Sequence, residues 1–256
     1  RFADGALEYT QNVVSADVTK ALEIGLAYPA TLSLGAQYRA EKWNQSPGNP
    51  DSYFGSGAQG FGGFTPRNAG QHDRDSHAVY AGLEADLSEK FSAGIAGRYE
   101  DFSDFGAETS GKVSARYAFT EAFALRATVA SGFRAPALAQ QHYQAVTTNF
   151  SSGVAFEAGT FPADSTAAIA LGAEPLKAET SLSYSLGAVL QPSERLYITV
   201  DAYQIDIDDR IVLSGNLPAN AAMTALLASL GITNVTSARY FTNAIDTRTR
   251  GVDVVA

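Results

Sequence analysis

The sequence has no cysteine, and its 256 residues include only three histidines, one methionine and one tryptophan. Without cysteine the chain forms no disulfide bond and offers no thiolate to a metal ion. Basic residues number 18 against 27 acidic ones, and the net charge of −9 argues against a nucleic-acid partner. No apolar run approaches the ~20 residues that a membrane-spanning helix needs. The sequence also lacks a Gly-x-Ser-x-Gly elbow, so no enzyme is predicted.

What the chain has instead is a repeated alternation of apolar and polar residues, the period that predicts β-strands with two different faces. Asp17–Tyr28 and Thr31–Trp43 are predicted to form two such strands around a tight turn at Pro29. Each has about the ~9–11 residues that cross a bilayer. In the second strand the apolar face carries Leu32, Leu34, Ala36 and Tyr38, and the polar face carries Ser33, Gly35, Gln37, Arg39 and Glu41.

The connections between the predicted strands alternate in length. Short turns lie at Pro29, Ser88, Thr120 and Pro192, and long loops at Asn44–Asp73, Ala135–Thr180 and Leu213–Ser237. Outer-membrane barrels have short periplasmic turns and long extracellular loops. The sequence therefore predicts an all-β fold, an antiparallel up-and-down transmembrane β-barrel. About nine or ten strands of it lie in this chain. The aromatic residues beside the short turns predict a girdle at the membrane surface, and they are Tyr28, Phe91, Phe119 and Phe123.

Charged residues in the middle of strands indicate which face is wet. Glu84, Arg98 and Arg126 share a face with small residues, which fits a polar lumen because an arginine at the lipid midplane costs ~2–4 kcal/mol. In Leu196–Ile211 the apolar positions change from even to odd. Either a bulge lies at Ala202–Gln204 or the strand leaves the membrane there, and we favour the second. Within the loops, Ala219–Leu230, with Asn220 as its N-cap, and the shorter Ser165–Leu171 are predicted helices.

Four segments, in chain order, carry a family resemblance. The stretch Ser131–Pro136 reads SGFRAP and ends a predicted strand, since Pro136 cannot donate to a ladder. It resembles a motif found late in the barrels of TonB-dependent outer-membrane receptors. The other three segments are similar to strand motifs of the same family: Pro175–Ser181 followed by Tyr184–Gly187, then Asp201–Ile211, then Asn243 with Thr249–Asp253.

The resemblance implies that residues 1–256 are part of such a receptor barrel, without its plug domain and its terminal strands. It implies active uptake of a scarce, bulky nutrient, such as a ferric siderophore, cobalamin or a glycan, in the bacterial outer membrane. The implied partners are outer-membrane lipid, the TonB complex acting through the absent plug region, and a small-molecule or metal-chelate ligand. The alternative is a passive porin-like channel. No cofactor is expected.

Candidate ligand-binding residues come from one glycine-rich loop. Its aromatic side chains would give a ligand a large contact area, and they are Trp43, Tyr53, Phe54, Phe61 and Phe64. Packing against neighbouring loops explains the same side chains equally well. In the SGFRAP motif, Gly132, Phe133, Arg134 and Pro136 are assigned to the family motif and the lumen. For Arg134, a lumen ion pair or a turn anchor is favoured over a contact to plug or ligand. No metal site is predicted, because His72–His77 has metal-capable groups but not the convergent ligand set of a zinc site.

Overall fold

The computed structural model describes residues 3–26, 28–53, 61–151, 154–218, 220–229 and 235–256. Its strands are β1 (Gly5–Leu22), β2 (Ala30–Pro47), β3 (Gly70–Ser88), β4 (Phe91–Phe102), β5 (Gly106–Thr120), β6 (Phe123–Arg134), β7 (Ala145–Ser151), β8 (Val154–Phe161), β9 (Glu179–Ser193), β10 (Leu196–Leu213), β11 (Leu217–Pro218) and β12 (Ser237–Val255). Its helices are α1 (Pro50–Tyr53), α2 (Leu138–His142), α3 (Thr166–Ala170) and α4 (Ala221–Ser229). No helix among the described residues has the length and apolar character to cross a membrane.

A run of antiparallel strands dominates the described part of the chain. The order is β1-β2-β3-β4-β5-β6-β9-β10-β12, and each of these strands has 12–19 residues. The number of strands in this run agrees with the nine or ten expected, and the all-β prediction is confirmed. The short strands β7, β8 and β11 lie within the two long loops. They join the sheet because Ser237–Tyr240 of β12 pairs with β8 in parallel and with β11.

The register separates the two faces of the sheet. Leu83 lies opposite Ile95, Ile95 opposite Val113, and Val113 opposite Val129, so an apolar row crosses four strands on one face. Ile95, Val113 and Val129 are all exposed. Successive side chains of a strand point to opposite faces, so Glu84, Arg98 and Arg126 lie on the other face. The first face therefore has the character of a lipid-facing surface and the second that of a lumen wall.

Several predicted boundaries are wrong. The first strand is Gly5–Leu22 and not Asp17–Tyr28, because Gly25 adopts φ +82° in the turn that ends it. Its upstream half escaped prediction because its side chains do not alternate cleanly. Gly5 pairs with Pro47, so β2 also extends further than predicted. Since β3 begins at Gly70, the loop predicted at Asn44–Asp73 is shorter, spanning residues 48–69.

The change of parity in β10 has a different cause from a bulge at Ala202–Gln204. The pairing of β10 runs without a shift from Thr199 to Ile207 against both of its neighbours. The irregularity lies further on, at Asp208–Asp209, where Asp209 has φ +56°. From Gln204 onward the outer face is polar, with Asp206 bonded to Arg248 at 2.5 Å. This agrees with a strand that leaves the membrane at that point.

The two long loops share a small apolar core at the end of the barrel away from the short turns, which we call the long-loop end. Phe161, Met223 and Leu227 are buried there with Tyr240 of β12. Both predicted helices are present among the described residues. Asn220 accepts a hydrogen bond from the backbone of Met223 at 2.9 Å, and Ser165 caps α3 in the same way. The predicted ends Ala219 and Leu230 fall outside the described residues.

Aromatic rings line the short-turn end. The ring of Tyr117 lies 6.4 Å from Phe91 and 4.8 Å from Phe119, which lies 5.4 Å from Phe123. Such a row is the arrangement expected of a girdle at one membrane surface.

The facing assignment predicts unequal tolerance to charge. Ile95→Arg in the intact receptor is expected to impair barrel assembly by ~2–4 kcal/mol, because it places a cation against hydrocarbon. Glu84→Arg is the matched control. Glu84 lies opposite Gly94, the residue before Ile95, but its side chain faces the lumen. Heat-modifiable migration of the folded barrel in outer-membrane fractions measures the difference. Equal assembly of both variants would reverse the assignment of the faces.

Candidate functional site

A buried ion pair lies on the lumen wall at the long-loop end. The register of β2 and β3 places Glu41 directly opposite Arg74. Arg74 donates from Nε to Oε2 of Glu41 at 2.8 Å, and its Nη2 lies 2.6 Å from the same oxygen. The exposed fractions are only 4% for Arg74 and 7% for Glu41. Tyr9 of β1 donates its hydroxyl to Glu41, so three strands meet at one carboxylate.

A second carboxylate extends the network towards β4. Glu100 accepts hydrogen bonds from Ser76 at 2.9 Å and from Arg98, whose Nη2 lies 2.7 Å away. Arg98 also donates to Gln37 at 2.9 Å, and Arg39 lies 3.7 Å from Glu100. The Nε of Arg39 is buried and has no hydrogen-bond partner among the described residues. The network therefore retains an unused cationic donor.

The segment Ala135–Gln144, which contains α2, covers this network like a strap. Arg74 donates from Nη1 to the carbonyl oxygen of Pro136 at 2.7 Å. At the other end of the strap, the side chain of Gln45 donates to the carbonyl of Gln144 at 2.6 Å. Pro136, Leu138 and Gln45 are all fully buried. The strap is thus held at both ends by the lumen faces of β2 and β3.

Two histidines stack between these ends. The rings of His72 in β3 and His142 in α2 are parallel within 5°, with centroids 3.7 Å apart, and Trp43 lies 6.1 Å from His72. Burial lowers the pKa of His142, and the neighbouring His72 lowers it further. Sequence reasoning missed this pair because the two residues are far apart along the chain and share no local pattern.

A pocket of about 620 Å³ lies beneath the strap. Its charged lining consists of four arginines and two glutamates, and they are Arg39, Arg74, Arg98, Arg134, Glu41 and Glu100. Ala137 and Leu138 of the strap region close one side of it. The charges around the pocket balance, because Arg134 is paired with Glu179 at 2.6 Å and Arg74 also lies 3.5 Å from Asp104. The sequence predicted Arg39 and Arg98 only as polar-face residues. It did not predict the contribution of Arg74, because the pairing of β2 with β3 is what places Arg74 beside the pocket.

The SGFRAP residues fasten the end of β6 to its neighbours. Arg134 donates to both oxygens of Glu179, at 3.1 and 2.6 Å, and Glu179 accepts the backbone N–H of Ile211 at 2.8 Å. This is the lumen-side ion pair favoured for Arg134. Phe133 contacts Phe102 edge-on at 6.0 Å. Gly132 lies opposite Ser181 of β9. Gly132 and Arg134 line the pocket, and the buried Pro136 belongs to the strap that covers it.

One part of each of the four segments that carry the resemblance lies at the long-loop end. Asn243 donates to the carbonyl of Asp209 at 2.6 Å and to that of Lys177 at 3.0 Å. Together with Arg134 and Glu179, these contacts tie together the ends of β6, β9, β10 and β12. The glycine of the second segment, Gly187, lies under the ion pair of Arg126 with Asp201, and a Cβ there would collide with both.

The aromatic candidates separate into buried and partly exposed residues. Trp43 is only 3% exposed and belongs to β2, and Phe64 is 6% exposed. Phe64 contacts Phe61 edge-on at 4.9 Å and Tyr143 at 6.0 Å. Tyr53 and Phe61 keep part of their surface exposed. Phe54 lies outside the described residues.

No metal site is found in the described part of the chain, where no group of three or more histidine or acidic side chains is placed to hold an ion. His72 and His77 point to opposite faces of β3, with His77 against Tyr38 at 5.0 Å.

The comparison with protein families assigns the chain to a family. The model of the TonB dependent receptor-like β-barrel matches residues 2–256. The chain belongs to the TonB-dependent receptor family. This places it in the bacterial outer membrane, in a family of transport receptors and not of enzymes. A comparison with curated protein sequences returned no match.

Solved structures similar to this TonB-dependent receptor barrel include siderophore receptors. The siderophore receptor PirA of Pseudomonas aeruginosa is 19% identical with a TM-score of 0.70, covering 98% of this chain and 40% of that one. A mutant of the ferric enterobactin receptor PfeA of the same organism, in complex with enterobactin, is 17% identical with a TM-score of 0.68, covering 97% and 33%. PirA of Acinetobacter baumannii is 16% identical with a TM-score of 0.63, covering 97% and 34%. The chain thus spans 40% or less of these receptors, and the likeness shows the fold.

The buried ion pair predicts a large effect for one arginine. Arg74→Ala in the intact receptor is expected to destabilise the barrel by ~3–5 kcal/mol, because Glu41 is left as a buried charge without its partner. Urea unfolding in detergent micelles measures the change.

Arg126→Ala is the matched control, since Arg126 also pairs across strands on the lumen wall but is 47% exposed. Its effect should be small, because solvent screens such pairs. Similar midpoints for both variants would contradict the importance of burial.

Proposed function

We propose that this barrel belongs to a receptor that takes up a ferric siderophore with energy supplied through TonB. Support comes from the solved structures of similar fold, two of which are described as siderophore receptors and one as a ferric enterobactin receptor. The length of those receptors supports a longer protein in which a plug domain accompanies residues 1–256.

The arginines of the pocket are the observation that carries the ligand class. Four of them border it, and Arg39 has the most distant carboxylate partner of the four, with its Nη2 3.7 Å from Glu100. Ferric chelates with several deprotonated oxygen donors are anions, and opposite charges inside a concave, partly dry site attract strongly. Arg39 offers a buried Nε that no described residue accepts. An anionic group, from the ligand or from the plug, is the natural acceptor for it.

The passive channel is the weaker alternative. The strap and the shared core of the long loops lie at the mouth of the lumen, where a diffusion pore would need open water.

The test uses the intact receptor in cells. Uptake of an iron-55 chelate is expected to depend on TonB, and Arg39→Gln is expected to weaken chelate binding about tenfold or more, the effect of losing a hydrogen bond to a charged group. Equilibrium binding to outer-membrane preparations gives the affinity.

Arg126→Gln is the control, because Arg126 lies on the same lumen wall outside the pocket. It should bind the chelate like the parent. If uptake persists without TonB and does not saturate at any solute concentration, the result supports the channel and overturns the receptor proposal.

The glycine-rich loop remains a proposed ligand contact through its partly exposed rings. Tyr53→Ser together with Phe61→Ser is expected to lower the affinity about tenfold while the abundance of the barrel stays constant, because an aromatic ring in contact with a ligand contributes ~1 kcal/mol. Phe64→Ser should instead reduce folded barrel, because Phe64 is buried. If the first pair of changes leaves affinity unaltered, the loop serves packing alone.

A further inference from the structure

The strap Ala135–Gln144 has one contact whose strength depends on protonation. Pro136 is held by Arg74, and Gln144 by Gln45, through bonds to backbone carbonyls that keep their strength at any moderate pH. Between them lie the stacked rings of His72 and His142. Histidine is the side chain whose charge changes between pH 5 and 8.

We propose that the His72–His142 stack is a pH-sensitive latch that keeps the strap over the pocket while His142 is neutral and releases it when His142 is protonated. Parallel rings 3.7 Å apart pack well. A proton on His142 puts a positive charge on a partly buried ring, and burial limits the water that would stabilise that charge. The long-loop end meets the external medium directly. Acidification outside the cell therefore reaches the latch without crossing the membrane.

Charged groups of both signs face His142 from the elements around it. Asp104, between β4 and β5, and Asp164, before α3, favour a proton on the ring, and Arg74 of β3 disfavours it. Burial and His72 outweigh the carboxylates, so the pKa of His142 is lowered in the closed strap. A group with a lowered pKa stabilises the closed form above its ordinary pKa of ~6.5, and this contribution is lost as the pH falls below that value.

The position of the stack determines which part of the strap moves. His142 lies at the C-terminal end of α2, two residues before Gln144. The bonds to the carbonyls of Pro136 and Gln144 hold both ends of the strap. Release therefore loosens α2 between these two anchors and lets it move away from the pocket. This regulation rests on the proposed uptake function only for its purpose, not for its mechanism.

The experiment places a nitroxide at Ala139→Cys in the intact receptor, in outer-membrane vesicles without any ligand. Residues 1–256 contain no other cysteine. The electron paramagnetic resonance spectrum is recorded at pH 7.5 and pH 5.0, because nitroxide mobility reports the strap and the label itself does not titrate. The mobile component is expected to rise severalfold at pH 5.0. An unchanged spectrum of the parent would overturn the latch, whatever the variants do.

His142→Phe keeps a ring in the stack but cannot take up a proton, so it should abolish most of the pH response. His77→Phe is the matched control, because His77 lies on the opposite face of β3 against Tyr38, and it should respond like the parent. A full response in His142→Phe would also refute the latch. Since the spectra are recorded without ligand, either negative result leaves the uptake proposal intact. The uptake proposal fails only if TonB-dependent chelate uptake is absent.

Discussion

The pairing of backbone groups between strands is the constraint on which the rest of the structure depends. In hydrocarbon an unpaired N–H or C=O costs several kcal/mol, so a strand inside the membrane must be bonded to neighbours on both sides. The antiparallel register from β1 to β12 meets this need across the interior of the sheet. Because side chains alternate along each strand, the same register decides which residues meet lipid and which meet water. A slip of one residue would turn Arg98 towards lipid and Ile95 into the lumen.

The lumen network is a direct product of that register. Glu41 meets Arg74 because β2 and β3 pair with those residues opposite each other. The arginine then has donors left over, and one of them binds the carbonyl of Pro136. The strap is therefore positioned by Arg74, the same arginine that pairs with the buried carboxylate of Glu41. Buried pairs of this kind are weak evidence for added stability, but removing one partner is costly, so the network fixes a geometry.

Much of the sheet follows from sequence alone, since a period of two identifies β2, β4 and β6 and assigns Arg126 and Glu84 to the lumen. The end of β6 at Arg134 follows from the proline after it. Contacts between distant segments leave no such local trace. Phe156 and its neighbours in β8 pair with β7, and β8 pairs in parallel with the start of β12, which no local pattern announces. The stacking of His72 on His142 arises only when the strap folds back.

The motifs that reveal the family are mostly structural fasteners at the mouth of the barrel. Arg134 binds Glu179, which also accepts the N–H of Ile211, and Asn243 holds the carbonyls beside the distortion at Asp209. These bonds fix the places where four strands leave the sheet and the two long loops begin. The loops can then differ between receptors without disturbing the barrel, provided the fasteners remain. We propose that ligand specificity lies in what the fasteners support, the pocket and the strap above it, and the SGFRAP motif itself contributes Gly132, Phe133 and Arg134 to the pocket lining.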